Sequence, residues 1–137
     1  MIKRDLIKDQ IEQLGKMIGM LIAKFLDLKT LGDIEEAIQI TNKELLAKVN
    51  LDLDQLVNLT PQEVEASINS TNLTDKYLDQ LANYLFEVGL HKKTSEKGEN
   101  SLQWFKLAQQ FLDLADKKTD MITFERMGLR SKIEKEL

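Results

Sequence analysis

Cysteine is absent from this chain of 137 residues, and proline, histidine and tryptophan occur once each. Without a thiol there is no disulfide framework, no cysteine-ligated zinc and no cysteine nucleophile. With a single His, His91, a four-ligand metal site would depend almost wholly on carboxylates. Helical bundles that hold two irons use paired Glu-x-x-His motifs, and the position that would need Glu here is Val88. Neither Gly-x-Gly-x-x-Gly nor Gly-x-x-x-x-Gly-Lys-Ser/Thr occurs, so no nucleotide-binding signature is present. No cofactor is expected.

Long apolar runs are missing too. The most apolar window, LGKMIGMLIAKFLDL over 14–28, contains Lys16, Lys24 and Asp27. It falls short of the roughly 20 residues that cross a bilayer, so no membrane partner is expected. The start, MIKRDLIKDQIEQ, is interrupted by charges where a secretory leader would carry an apolar core, which predicts a cytoplasmic protein.

What is present is the mix of a water-soluble globular fold, 42% apolar and 31% charged, and the length suits one domain over 1–137. The net charge is −4 and unevenly spread: residues 1–30 hold six basic and four acidic groups, and residues 31–75 two basic and nine acidic. No basic stripe suited to a phosphate backbone emerges, so nucleic acid is not an expected partner.

The apolar residues recur at helical spacing. Ile7, Ile11, Leu14, Ile18, Leu21, Phe25 and Leu28 alternate steps of four and three, which predicts one amphipathic helix over 3–28. Leu6, Met17, Met20, Ile22 and Leu26 widen its stripe beyond a two-stranded seam. Gly15, Gly19 and Ala23 form a line on which a second helix has room to approach. After Gly32, Asp33 and Glu36 read as a capping box opening a helix over 34–49, with Ile34, Ala37, Ile38, Leu45, Leu46 and Val49 inward. Residues 50–59 fit either a helical turn or an extended piece. Their Asp52 and Asp54 imitate the start of a calcium loop, but Val57 and Glu63 stand where its Gly and final Glu belong. Thr60-Pro61-Gln62-Glu63 marks the start of a helix over 61–68. Further helices are predicted over 75–96, ended by Gly98, over 99–118, with Leu102, Phe105, Leu107, Ala108, Phe111, Leu112 and Ala115 inward, and over 121–135. Asp120 would cap the last, whose inward residues would be Met121, Phe124, Met127 and Ile133. No strand pattern interrupts them. The prediction is an all-α, antiparallel bundle of five or six helices.

Within it, Leu85, Val88, Gly89, Ser101, Phe105 and Ala108 fall at the spacing of a tetratricopeptide helix pair. Residues 78–115 therefore resemble that family, with Gly98 about two residues beyond its usual turn and no closing Pro. Ile2–Leu14, Gly32–Ile38, Leu51–Val64 and Leu85–Ala108 together resemble an uncharacterised bacterial family of small all-helical proteins. The resemblance implies a fold and carries no catalytic residues.

Two functions of different kind remain. One is a non-enzymatic scaffold that binds a protein or peptide, or pairs with itself as a homodimer. Its candidate contact residues are Trp104, displaced to the rim beside the core residue Phe105, the pair Lys92 and Lys93, and Met17 and Met20. The other is a small ligand-binding protein or hydrolase in which His91 acts as acid or base beside Glu87, Ser95, Glu96 or Lys92.

Overall fold

A computed structural model describes residues 2–71, 73–95 and 100–137, with side chains from residue 9 onward. Among the described residues there are seven helices and no strand. They are α1 (Ile2–Thr30), α2 (Ile34–Val49), α3 (Leu53–Leu56), α4 (Pro61–Asn69), α5 (Asp75–Thr94), α6 (Ser101–Lys118) and α7 (Phe124–Glu136). The count exceeds the expected five or six because the 50–59 segment contains α3, a single turn. Gly98, expected to end α5, lies outside the described residues, as do the side chains of Leu6 and Ile7.

Local chemistry sets the helix ends. Gly32 takes φ +97°, which suits a residue without Cβ. Asp33 then accepts the N–H of Glu36 at 3.0 Å and opens α2. At the far end Asn50 is left-handed, φ 57°, and the N–H groups of Asn50 and Leu51 return to the carbonyls of Leu46 and Leu45 at 3.1 and 3.2 Å. Asp52 accepts the N–H of Gln55 and so caps α3. The box at α4 forms in full: Glu63 N–H donates to Thr60 Oγ1 at 3.2 Å, and Thr60 N–H to Glu63 Oε1 at 3.0 Å. α7 begins three residues later than predicted, because Thr123 rather than Asp120 caps it.

α5 is the central element. Leu78, Leu81, Ala82, Tyr84, Leu85, Phe86, Val88 and Gly89 are all buried, so its apolar surface runs most of the way round the helix. It forms an extensive hairpin with α6 and a second contact with α1, which pairs mainly with α2; α7 lies across α5 and α6. α4 is tied to α6 by Gln110, whose amide donates to the Pro61 carbonyl at 2.6 Å, and by Lys117 with Glu65 at 2.9 Å. Ile18, Leu21 and Phe25 carry the α1 seam into the core.

Glycine permits two close approaches. A Cβ on Gly89 would stand 2.7 Å from the Phe105 ring, and one on Gly15 would overlap the ring of Tyr77. The expected helix along Gly15, Gly19 and Ala23 is replaced by that one aromatic ring, since a Cβ on Gly19 would meet nothing within 4 Å and Ala23 is exposed.

A polar contact crosses the core between α5 and α2. The Tyr84 hydroxyl donates to Asn42 Oδ1 at 2.7 Å, while its ring meets Phe25 edge-on at 4.9 Å. Burial, reinforced by the charge of Asp54, pushes the phenol far above its ordinary range.

Several apolar residues expected inside face outward: Leu26, Leu46, Leu102, Met121, Phe124 and Met127. In α7 only Ile133 of the four expected anchors is buried, and Arg126 occupies the inner face instead.

Candidate functional site

Among the concavities lined by described residues, two bear on the expected functions. The first is a groove of about 1010 Å³ between α6 and the α3–α4 segment. The buried Leu56, Val64, Leu107 and Leu114 form its apolar floor, and the exposed Leu102, Lys106 and Leu137 stand at its edge. The floor follows from helix spacing. Leu107 and Leu114 are two turns apart on α6, and Val64 sits on the inward face of α4. Leu102 was expected inside; it is exposed at the groove edge.

The second is a polar cleft of about 560 Å³ between α2, the α3 turn and the end of α5. His91 lines it together with Glu35, Lys43, Asp52, Asp54 and Lys92. The partners that general acid–base work would need are engaged elsewhere. Glu87 pairs with Lys29 at 2.7 Å, and the Ser95 hydroxyl donates to the Lys92 carbonyl at 2.9 Å. Glu96 lies outside the described residues. Among the described residues the His91 side chain has no hydrogen-bond partner, and no three His, Asp or Glu converge in a metal-binding group. The expected dyads with Glu87 and Ser95 are therefore not assembled, for want of a group that orients the imidazole.

The candidate contact residues separate. Trp104 is 2% exposed, not at the rim. The reading from Phe105 alone placed it one helical step off the core, but α6 is enclosed on more than one side. The Lys92 ammonium lies 5.4 Å from the centre of the Trp104 ring, a cation–π contact that closes over it. This chain covers its own tryptophan. Lys93 reaches Glu136 and ties the end of α5 to α7. Met17 is half-buried and Met20 exposed on the outer side of α1. These five residues form no common surface with His91 beyond the Lys92 edge of the cleft.

One charged cluster escaped the sequence reading. Arg126 is buried, and its guanidinium binds Asp79 through both Nε and Nη2 at 2.8 Å. It reaches Asp116 at 3.1 Å and Asp75 at 3.4 Å. Arg130 adds Asp113 and Asp116, both at 2.7 Å. Asp79 holds the Arg126 guanidinium above its already high range, against the opposing effect of burial. Such a group stays charged at any working pH, so the cluster fastens α7 to the α5–α6 hairpin and transfers no proton. Its signal was present: Asp75/Asp79, Asp113/Asp116 and Arg126/Arg130 are spaced four, three and four apart, one face each.

No helix among the described residues is long and apolar enough to cross a membrane. No family model matches the chain, and no match was found among curated proteins or among solved structures.

Proposed function

We propose that this chain is a non-enzymatic helical interaction module that works in the cytoplasm and receives an amphipathic peptide or helix of a protein partner in the groove beside α6. The observation that carries this reading is the groove itself. It is open, floored by the buried Leu56, Val64, Leu107 and Leu114, and the apolar surface it offers a partner is the exposed Leu102 and Leu137 with the half-buried Val57 and Leu59, a set suited to two or three apolar side chains presented from one helix face. Lys106 at its edge is exposed and forms no ion pair among the described residues, which favours an acidic residue on the partner. The tetratricopeptide-like spacing of the α5–α6 hairpin supports the reading, because that architecture presents helix faces to peptides. So does the resemblance to the uncharacterised bacterial family, which carries no catalytic residues. His91, facing a polar cleft without an orienting partner, contributes nothing to it.

The test is a photoreactive residue placed at Gln103, on the groove edge, and irradiated in living cells. A discrete adduct is expected, lost when Leu102→Asp is added. A photoreactive residue that yields no adduct at Gln103 and none at Gln110 would contradict the groove as the docking surface.

A further inference from the structure

α7 faces the body with Arg126, Leu129 and Ile133 and turns its larger apolar residues away from it. Phe124 is 90% exposed and Met127 55%, while Met121 and Ile122 just before the helix are 72% and 79% exposed. At about 200 Å² per side chain, these four present about 600 Å² of apolar surface, the upper end of what a monomer ordinarily shows. Beside them runs a groove of about 450 Å³ between α5 and α7, with Leu112 and Leu129 in its wall and Gly128 and Lys132 along its edge. Gly128 stands mid-helix, and a Cβ there would meet nothing within 4 Å. Nothing within the protomer calls for that helix-weakening residue.

We propose that this face receives α7 of a second copy, packed antiparallel about Gly128 in a two-fold dimer. Three observations select that occupant. Phe124 and Lys132, which edges the groove, lie equally far on either side of Gly128 on the same helix, so a two-fold axis at Gly128 sets each Phe124 at the edge of the other subunit's groove and closes the assembly at two. Glu125 and Lys132 are two turns apart on one side of α7. The antiparallel arrangement brings each Glu125 within one residue's rise of the partner's Lys132, as flanking charges do in paired helices. Neither forms an ion pair within the protomer among the described residues. Lastly, two such patches would bury about 1,200 Å², the area at which specific interfaces begin to be stable. The face is separate from the groove at α3–α4–α6, and the pairing stands whether or not that groove takes a partner.

Sedimentation equilibrium across micromolar concentrations tests it, with a limiting mass of twice 15.8 kDa expected. Phe124→Asp, at an exposed position, should give a monomer with unchanged helical circular dichroism. Glu125→Lys and Lys132→Glu should each weaken association about tenfold, since each contact occurs twice, and the double swap should restore it. Gly128→Cys, the only thiol in the chain, should cross-link two copies on mild oxidation. A monomer at all concentrations would overturn the proposal. So would a dimer indifferent to Phe124→Asp, a double swap that recovers nothing, or a Gly128→Cys dimer that fails to cross-link.

Discussion

Alanine at position 89 tests the packing at the centre of the molecule. Its Cβ would lie 2.7, 2.8 and 3.1 Å from three atoms of the Phe105 ring, where carbon contacts settle at about 3.5 Å. The ring or one of the two helices must therefore move by roughly 0.8 Å. Phe105 is buried and leans on Phe86 at a centroid distance of 5.7 Å, so it has no free space to enter. Overpacking of this kind costs about 1–3 kcal/mol, and the gain in helix propensity returns about 1 kcal/mol. The net expectation is anything from no change to a loss of about 2 kcal/mol. Gly19→Ala is the matched control: its Cβ meets nothing within 4 Å, leaving only the propensity gain of about 1 kcal/mol. The propensity gain is common to both, so the two variants should diverge by the overpacking cost, about 1–3 kcal/mol, or roughly 3–10 °C in Tm for a chain of this size. Urea and thermal unfolding followed by circular dichroism would measure both. In a Phe105→Leu background the penalty at position 89 should shrink. A Gly89→Ala variant that gains as much stability as Gly19→Ala would refute the close approach.

Arg126→Ala should cost about 2–3 kcal/mol, below the figure for fully buried pairs because its Asp partners are partly solvated. Hydrogen exchange in residues 124–136 should accelerate while α5 and α6 stay protected; uniform loss of protection would contradict the clamp. Tyr84, whose phenol is held neutral in the core, predicts alkaline sensitivity. Its folded pKa is raised, so the stability it contributes is intact below the unfolded value of about 10 and falls as pH rises beyond it. In a Tyr77→Phe background, phenolate absorbance should appear only together with loss of helicity. Glu63 behaves in the opposite sense. The Thr60 N–H and hydroxyl lower its pKa, so its contribution is present above the unfolded carboxylate value and lost as pH falls through the folded one. Glu63→Gln should keep the cap and flatten that acid dependence in pH-resolved denaturation; an unchanged slope would exclude the carboxylate as its source.

The fold was largely legible because helices advertise themselves twice, by the spacing of their apolar residues and by the chemistry of their ends. Asp33, Thr60 and Gly32 marked boundaries that the structure repeats within a residue or two. Ile18, Leu21 and Phe25 were found in the core because the four-three spacing is a property of one helix alone. What the pattern missed depends on the surface of a neighbour. α7 offered Met121, Phe124 and Met127 as its apolar side, yet the α5–α6 hairpin meets it with Asp75, Asp79 and Asp116 and selects Arg126 instead. Trp104 was misplaced for a related reason. Adjacency to Phe105 fixes an angle on the helix, but whether that angle faces water is decided by Lys92 on α5. The groove at α6 was invisible for the same reason, since its walls come from α3, α4 and α6 at once.

The claim that the chain works by holding a partner in this groove is tested most directly by comparing what the parent protein and its Leu102→Asp variant retain from their own cells. Leu102 is exposed on the groove edge, so the substitution leaves the core untouched. The account predicts a defined protein retained by the parent, lost from the variant, and able to shift the resonances of Leu107 and Leu114 when added back purified. Identical retention by the two forms would contradict it.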